Sequence, residues 1–420
     1  MGCNCRYEDF KKGVWFNTFI RRTKTYLVKM RQLKAQILDL AQQYFDDTVQ
    51  LRRALHKNPE LSFKEYETSK FIQEKLSEYN IPFESGIVET GIVALIKGRN
   101  PDSRCIALRA DIDALPINEL NDVSYASKNE GVMHACGHDF HTASLLGVAR
   151  ILNELKDHWK GSIKLIFQPG EEKLPGGASL MIEQGVLENP KVEKIIGQHV
   201  SPELECGTIG MKGGMFMASA DEIYIDVIGK GGHAAIPEGR INPLLIAAKL
   251  ITNLYERFDS VADTPSVLSI GVIEGGSAGN IIPETVSMQG TFRAMDENWR
   301  AEAHQIIENI CLKTAKDMGG ECVLEIRKGY PFLKNDVHFT EHCFKQASEL
   351  MGNQSVIKIP KRMTAEDFAY YSHHVPSCFY RIGVGEKNGE RRYLHNPNFD
   401  VDEKALQHSV GLMSWLAITA

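Results

Sequence analysis

No apolar run in these 420 residues approaches the roughly 18 that a membrane-crossing helix needs, so none is expected. Positive charge is not in excess either. The formal net charge of -6 leaves no general attraction for phosphate backbones or anionic lipid, which sets nucleic acid and membrane aside as partners. Cysteine is sparse: nine residues, scattered apart from Cys3 and Cys5, do not resemble the dense framework of a small secreted domain. A reducing, cytoplasmic compartment is therefore expected. Also missing are the H-E-x-x-H helix of a zincin, the P-C-x-x-C element of a zinc deaminase, internal repeats and low-complexity tracts.

What is present has the composition of a globular protein, 43% hydrophobic and 24% charged. One core rarely serves more than about 250 to 300 residues, so two domains are expected. Residues 1–34 stand apart: Arg6, Lys11, Lys12, Arg21, Arg22, Lys24, Lys29, Arg31 and Lys34 face only Glu8 and Asp9. The apolar stretch Val14-Trp15-Phe16 is broken at once by Asn17 and Thr18, which does not suit a signal peptide. The Met-Gly start lacks a Ser or Thr at position six for myristoylation, where Arg6 stands. This segment reads as a disordered basic extension, or as sequence upstream of a start at Met30.

Apolar residues recur at helical spacing over 37–55 and again over 66–79, and the compact runs 92–96 and 105–108 read as buried strands. Helix 142–155 leads to the run 163–167, and helix 178–184 to the run 194–200. That alternation predicts an α/β fold, a mainly parallel sheet with helices on both faces and its site beyond the carboxyl ends of the strands. Between 221 and 331 the order becomes βαββαβ, the split arrangement of a ferredoxin-like α+β domain. Gly213-Gly214 and 329–331 carry the glycine and proline expected of hinges. The doubly wound pattern then resumes, so the expected division is 1–34 extension, 35–220 and 332–420 catalytic domain, and 221–331 an insertion.

Chemistry concentrates at 134–141, where three histidines, Cys136 and Asp139 lie where an extended segment gives way to a helix. Residues two apart in an extended segment point the same way, so Cys136 and His138 can share a metal. A thiolate with an imidazole suits zinc best, with cobalt, nickel and manganese also open. The plainer alternative is a buried cysteine beside solvent-facing histidines. Glu171 and Glu172 follow the strand 163–167, where two carboxylates can divide labour, one binding metal and one moving protons. His199 and His395 are each weak alone, yet the four fragments together offer a ligand set. Of Asp111 and Asp113, also after a strand, one is expected to orient a ligand imidazole unless it merely caps a turn.

Six fragments carry a resemblance: Arg-Ala-Asp-Ile-Asp-Ala-Leu-Pro at 109–116, Met-His-Ala-Cys-Gly-His-Asp at 133–139, Gln-Pro-Gly-Glu-Glu at 168–172, Gly-Gly-His-Ala-Ala at 231–235, Ala-Glu-Asp-Phe-Ala-Tyr-Tyr at 365–371 and Leu-His-Asn-Pro at 394–397. In this order, from about residue 51 to the end, the chain resembles the amidohydrolase branch of the aminoacylase and carboxypeptidase metallopeptidases. That branch includes hippurate hydrolases, auxin-conjugate hydrolases and N-acetyldiaminopimelate deacetylases. The resemblance implies a metal-dependent hydrolase of N-acyl-L-amino acids. Cys136, His138, Glu172, His199 and His395 match ligands of a centre of two divalent ions (Zn, Mn, Co or Ni), and Glu171 matches the general base. Asp113 is expected behind the ligands. His233 matches a histidine that reaches the partner subunit's site in a homodimer joined through the inserted lid domain. Asn280 and Arg293 match positions that bind the substrate carboxylate. The chain departs from the common pattern at Pro237-Glu238 and Asn242-Pro243, which leaves a particular relative's substrate preference open.

Rival readings are a cysteine-nucleophile hydrolase using Cys136 and His138, a dipeptidase or carboxypeptidase of the same superfamily, and a metal-bearing binding protein. The first leaves Glu171, Glu172 and two histidines without a role. The last has no need of Glu171.

Overall fold

Leu33, Ile37 and Ala41 recur every four residues and are buried together in the main core, which makes a helix of the first described segment. The computed structural model describes residues 28–236, 238–259, 265–387 and 389–420. Residues 28–34, read from composition as part of the basic extension, are thus the opening turns of α1 (28–43). The remainder of that extension, and Pro237 of the departing motif, lie outside the described residues.

Next come α2 (Phe45–Lys57), α3 (Tyr66–Glu78), β1 (Phe83–Ile87), β2 (Gly91–Lys97), β3 (Cys105–Asp111), α4 (His138–Glu154), β4 (Ser162–Gln168), α5 (Gly177–Glu183), β5 (Lys194–Glu205) and β6 (Ile209–Met211). After β7 (Gly214–Met217), a smaller unit runs through β8 (Asp221–Ile228), β9 (Gly232–His233), α6 (Pro243–Phe258), β10 (Ser266–Glu274), β11 (Ile281–Ile282), β12 (Thr285–Ala294), α7 (Glu297–Asp317) and β13 (Glu321–Lys328). The chain returns through β14 (Leu333–Asn335) to α8 (Val337–Met351), β15 (Val356–Lys358), α9 (Ala369–Ser372), β16 (Ser377–Gly385) and α10 (Ala405–Thr419).

The large sheet has the order β1-β2-β4-β3-β5-β16-β6-β15. Its centre, β4-β3-β5-β16, is parallel, while β1, β2 and the β16-β6 pair are antiparallel. Every residue of β3, β4 and β16 is buried, as expected of strands covered on both faces. One face packs against α2, α4, α8 and α10, the other against α5 and α9, giving a core on each side.

The small sheet, β10-β12-β8-β13, is antiparallel throughout. Residues of β8 alternate between buried and accessible, and the buried set meets the apolar faces of α6 and α7 in a third core. Asn242 caps α6 ahead of Pro243, and Asp296 caps α7. The two chain crossings between the units pair with each other as β7 and β14. Asp221, the first residue of the small unit, accepts from Arg300 Nε at 2.9 Å, from His304 Nε2 at 2.7 Å and from the Gly329 N–H at 3.1 Å. One buried carboxylate thereby ties the outgoing strand to the returning one.

Candidate metal centre

β3 and β4 end together, Asp111 opposite Gln168, and the loops beyond them carry Asp113, Glu171 and Glu172. β5 runs past both, so His199 is mid-strand and still level with those carboxyl ends. His395 is likewise not at a strand end: it lies in a turn after β16 with φ of 59° and donates its N–H to the Ala135 carbonyl at 2.8 Å. Cys136 and His138 do not converge by extended alternation. Gly137 between them has φ of 84°, and His138 is already the first residue of α4. A Cβ at Gly137 would stand 2.6 Å from Val200 Cγ2, so both backbone angle and space require glycine.

Five expected ligands come together. Cys136 Sγ lies 3.4 Å from His199 Nε2, whose ring is aimed by Nδ1 donating to the Val200 carbonyl at 2.8 Å. His138 Nδ1 donates to the Asp113 carbonyl at 2.9 Å and side chain at 3.2 Å, turning Nε2 inward to within 3.8 Å of Glu172 Oε1. Glu172 Oε1 is also 3.4 Å from His395 Nε2. Ligand-type atoms of Cys136, His138 and His199 lie within 4.8 Å of one another, and so do those of Cys136, Glu172 and His395. Two overlapping triads that share Cys136 are a geometry for two neighbouring cations.

The donor set fits divalent ions on a second count. His138 Nε2 and Glu172 Oε1 are buried polar atoms with no hydrogen-bond partner, which a folded protein rarely tolerates without a ligand. Negative charge also outweighs positive here. Burial opposes a charge on His138, yet Asp111, Asp113 and Glu172 push its pKa up to about 10. Burial, with Glu172 and Glu171 close by, raises the Cys136 thiol well above its ordinary range. Burial, then Glu366, Glu172, Asp367 and Asp113, likewise raises Glu171. A cation at the centre relieves all three.

Asp113 sits where an orienting residue should. Besides His138 it accepts from the Ser62 hydroxyl at 2.7 Å and the Glu172 N–H at 3.0 Å, so it fixes two ligands at once. Asp111, left open by the sequence, holds His141 Nδ1 at 2.6 Å. Because His141 Nε2 accepts the Val200 N–H at 3.0 Å, its Nδ1 must carry the proton, and the ring anchors β5 next to His199. Sequence reasoning missed a further layer. Arg109, buried in β3, meets Asp111 and Asp367 at 2.6 Å and Glu366 at 3.1 Å. The only signal was a charged residue inside an otherwise apolar strand and the acidic pair in 365–371.

Glu171, Glu172, Cys136, His199 and His395 line one cavity of about 860 Å³ with Arg293, Tyr330, Arg362 and Arg381. The Tyr330 hydroxyl donates to the Glu171 carbonyl at 2.6 Å. His233 and Asn280 do not line it. They lie at the exposed β9-β11 pair instead, where His233 stands opposite Ile281 and the Ala234 N–H donates to the Asn280 carbonyl at 2.9 Å.

Residues 107–417 match Peptidase family M20/M25/M40. An N-acetyl-L-cysteine deacetylase of Bacillus subtilis is 39% identical, over 85% of this chain and 84% of its own. Thermostable carboxypeptidase 2 of Saccharolobus solfataricus is 38% identical, over 89% and 95%. The crystal structure of a dinuclear metal binding peptidase from the M20 family of Bacillus subtilis superposes with a TM-score of 0.77 at 35% identity, covering 90% of this chain and 98% of that one.

Proposed function

Since the chain belongs to peptidase family M20/M25/M40 and is a hydrolase of amide bonds, we propose that it cleaves N-acyl-L-amino acids to a carboxylic acid and a free amino acid. The observation that carries this reading is the meeting of Cys136, Glu172, His199 and His395 on the cavity wall, with His138 grouped with Cys136 and His199 and with Glu171 beside them. Those five residues would hold two divalent ions, of which zinc suits the donors best and manganese, cobalt or nickel remain compatible. Bound there, such ions would supply the Lewis acidity that lowers the pKa of a water molecule and polarises the scissile carbonyl.

The rest is done by the chain's own groups. Glu171, on the cavity wall beside Glu172, takes a proton from water and delivers it to the leaving amine. Asp113 keeps His138 and Glu172 in place. Arg293, half-buried on the cavity wall, presents a two-pronged cation to the substrate's α-carboxylate. His233 and Asn280 stand outside their own cavity and serve that of a partner subunit, His233 steadying the oxyanion.

A homodimer through residues 221–331 accounts for that placement. It would also cover the edge strand β10, where Val267, Val272 and Ile273 are exposed. In this reading 35–220 with 332–420 is the catalytic domain, onto which residues 28–34 of the basic extension fold as the start of α1, and 221–331 is lid and dimer module. The described cysteines are all free, in keeping with a cytoplasmic setting. No described helix is long and apolar enough to cross a membrane.

Mixing inactive His233→Ala protein with inactive Glu171→Gln protein, under conditions that exchange subunits, tests the arrangement. Part of the activity on an N-acyl amino acid should return, because one hybrid site carries both groups. No recovery after verified exchange removes His233 from the partner's site. Faster turnover of dipeptides than of N-acyl amino acids favours the dipeptidase reading. Metal binding with no turnover of either leaves a binding protein.

A further inference from the structure

Four arginines are buried among the described residues: Arg52, Arg109, Arg300 and Arg381. The first three are each met by at least two carboxylates, Arg52 by Asp139 and Asp400, Arg109 by Asp111 and Asp367, Arg300 by Asp221 and Glu297. Arg381 differs. It is 3% exposed, its Nε has no hydrogen-bond partner, and its Nη2 reaches only the thioether sulfur of Met217, at 3.2 Å. A guanidinium taken out of water without an anion is costly, so such a group implies a ligand that completes it.

Its position says which ligand. Arg381 on β16 stands in register with His199 on the neighbouring parallel strand, and both line the cavity. Arg362 lines the same cavity from the segment that bridges Met217, and pairs with Glu203 at 3.3 Å. Two guanidinium groups thus stand on the large-unit wall, while Arg293 stands on the small-unit wall. One α-carboxylate can satisfy Arg293. It leaves Arg381 without an anion, and Arg362 with only its partly exposed pair to Glu203.

Resting on the amidohydrolase reading, we propose that Arg381 and Arg362 form a subsite for a second anionic group, so that the preferred substrates are N-acyl amino acids with two carboxylates. The second carboxylate comes either from the end of a dicarboxylic acyl chain or from an acidic amino-acid side chain. Charge-assisted hydrogen bonds to a buried guanidinium should favour such a substrate by roughly ten- to a hundredfold.

The test is a calorimetric comparison of succinate with butyrate, of equal length, on the full-length metal-loaded protein, its Arg381→Met and its Arg362→Gln variants. Wild type should bind succinate at least about tenfold more tightly, and the ratio should fall below about three in Arg381→Met and partway in Arg362→Gln. Arg362 is partly exposed, so its variant carries the test if Arg381→Met does not fold. A wild-type ratio near one, or a ratio unchanged in the variants, overturns the proposal whatever the activity. Hydrolysis then identifies the source. A higher kcat/KM for N-succinyl-L-alanine than for N-acetyl-L-alanine assigns the acyl chain, and a higher value for N-acetyl-L-glutamate assigns the side chain. If succinate binds through these arginines but none of the three is cleaved, the subsite stands and the amidohydrolase reading falls.

Discussion

Adding one methyl group at Gly137 perturbs the centre without touching a ligand atom. The residue holds φ of 84°, where a Cβ costs roughly 1 to 2 kcal/mol, and that Cβ would sit 2.6 Å from Val200 Cγ2. Forcing a group into such a contact costs roughly a further 1 to 3 kcal/mol, so Gly137→Ala should destabilise by about 2 to 5 kcal/mol. The easiest relief rotates the 136–138 backbone, which carries Cys136 away from His138. Metal content should therefore fall along with stability. Gly131→Ala is the internal control: its φ is 74° but nothing lies within 4 Å of the added carbon, so it should lose about 1 kcal/mol and keep its metal. Pairing Gly137→Ala with Val200→Ala should recover the crowding part of the loss and leave the backbone part. The assays are denaturant unfolding and metal analysis after dialysis. If Gly137→Ala stays within about 0.5 kcal/mol of wild type with full metal, the left-handed turn does not set the ligand geometry and the argument is refuted.

Other expectations separate roles that the sequence could only suggest. Glu171→Gln should abolish turnover and keep metal near the wild-type level, whereas Glu172→Gln should lose metal, and equal loss in both would mean the pair is misassigned. Arg109→Met leaves Asp111, Glu366 and Asp367 facing one another, and unfolding measurements should show a loss of roughly 3 to 5 kcal/mol, while a loss under 1 would remove its structural role. At the hinge, burial works against the Asp221 charge, but Arg300 and His304 lower its pKa from 3.8 to about 2. A carboxylate held low in the folded state stabilises above its ordinary pKa, by roughly 2.5 kcal/mol here, and loses that contribution as pH falls through about 2. The stability gap between wild type and Asp221→Asn should accordingly narrow by about 1 kcal/mol from pH 6 to pH 3, and a constant gap would refute the linkage.

Periodicity alone marked the elements that recur as α2 to α4, the buried strands β2 to β5, and the βαββαβ order of the small unit, because burying one face fixes which residues are apolar. Local chemistry also brought Cys136, His138, Glu171, Glu172, His199 and His395 forward as candidates, and the fold gathers them. Register and reach were left to the tertiary structure. That β5 overshoots β3 and β4, putting mid-strand His199 at the site, depends on pairing between strands far apart in sequence, which no local pattern encodes. The pairing of β7 with β14 and the fastening of both crossings to Asp221 are equally non-local. The separation of His233 and Asn280 from Arg293 likewise appears only when β9 and β11 fold away from the cavity that β12 enters. Arg381 makes the contrast plain. In sequence it is one charged residue in an apolar strand like Arg109, and only packing reveals that Arg109 is surrounded by carboxylates while Arg381 faces the cavity with none in reach, because a charge's cost is set by its neighbours in space.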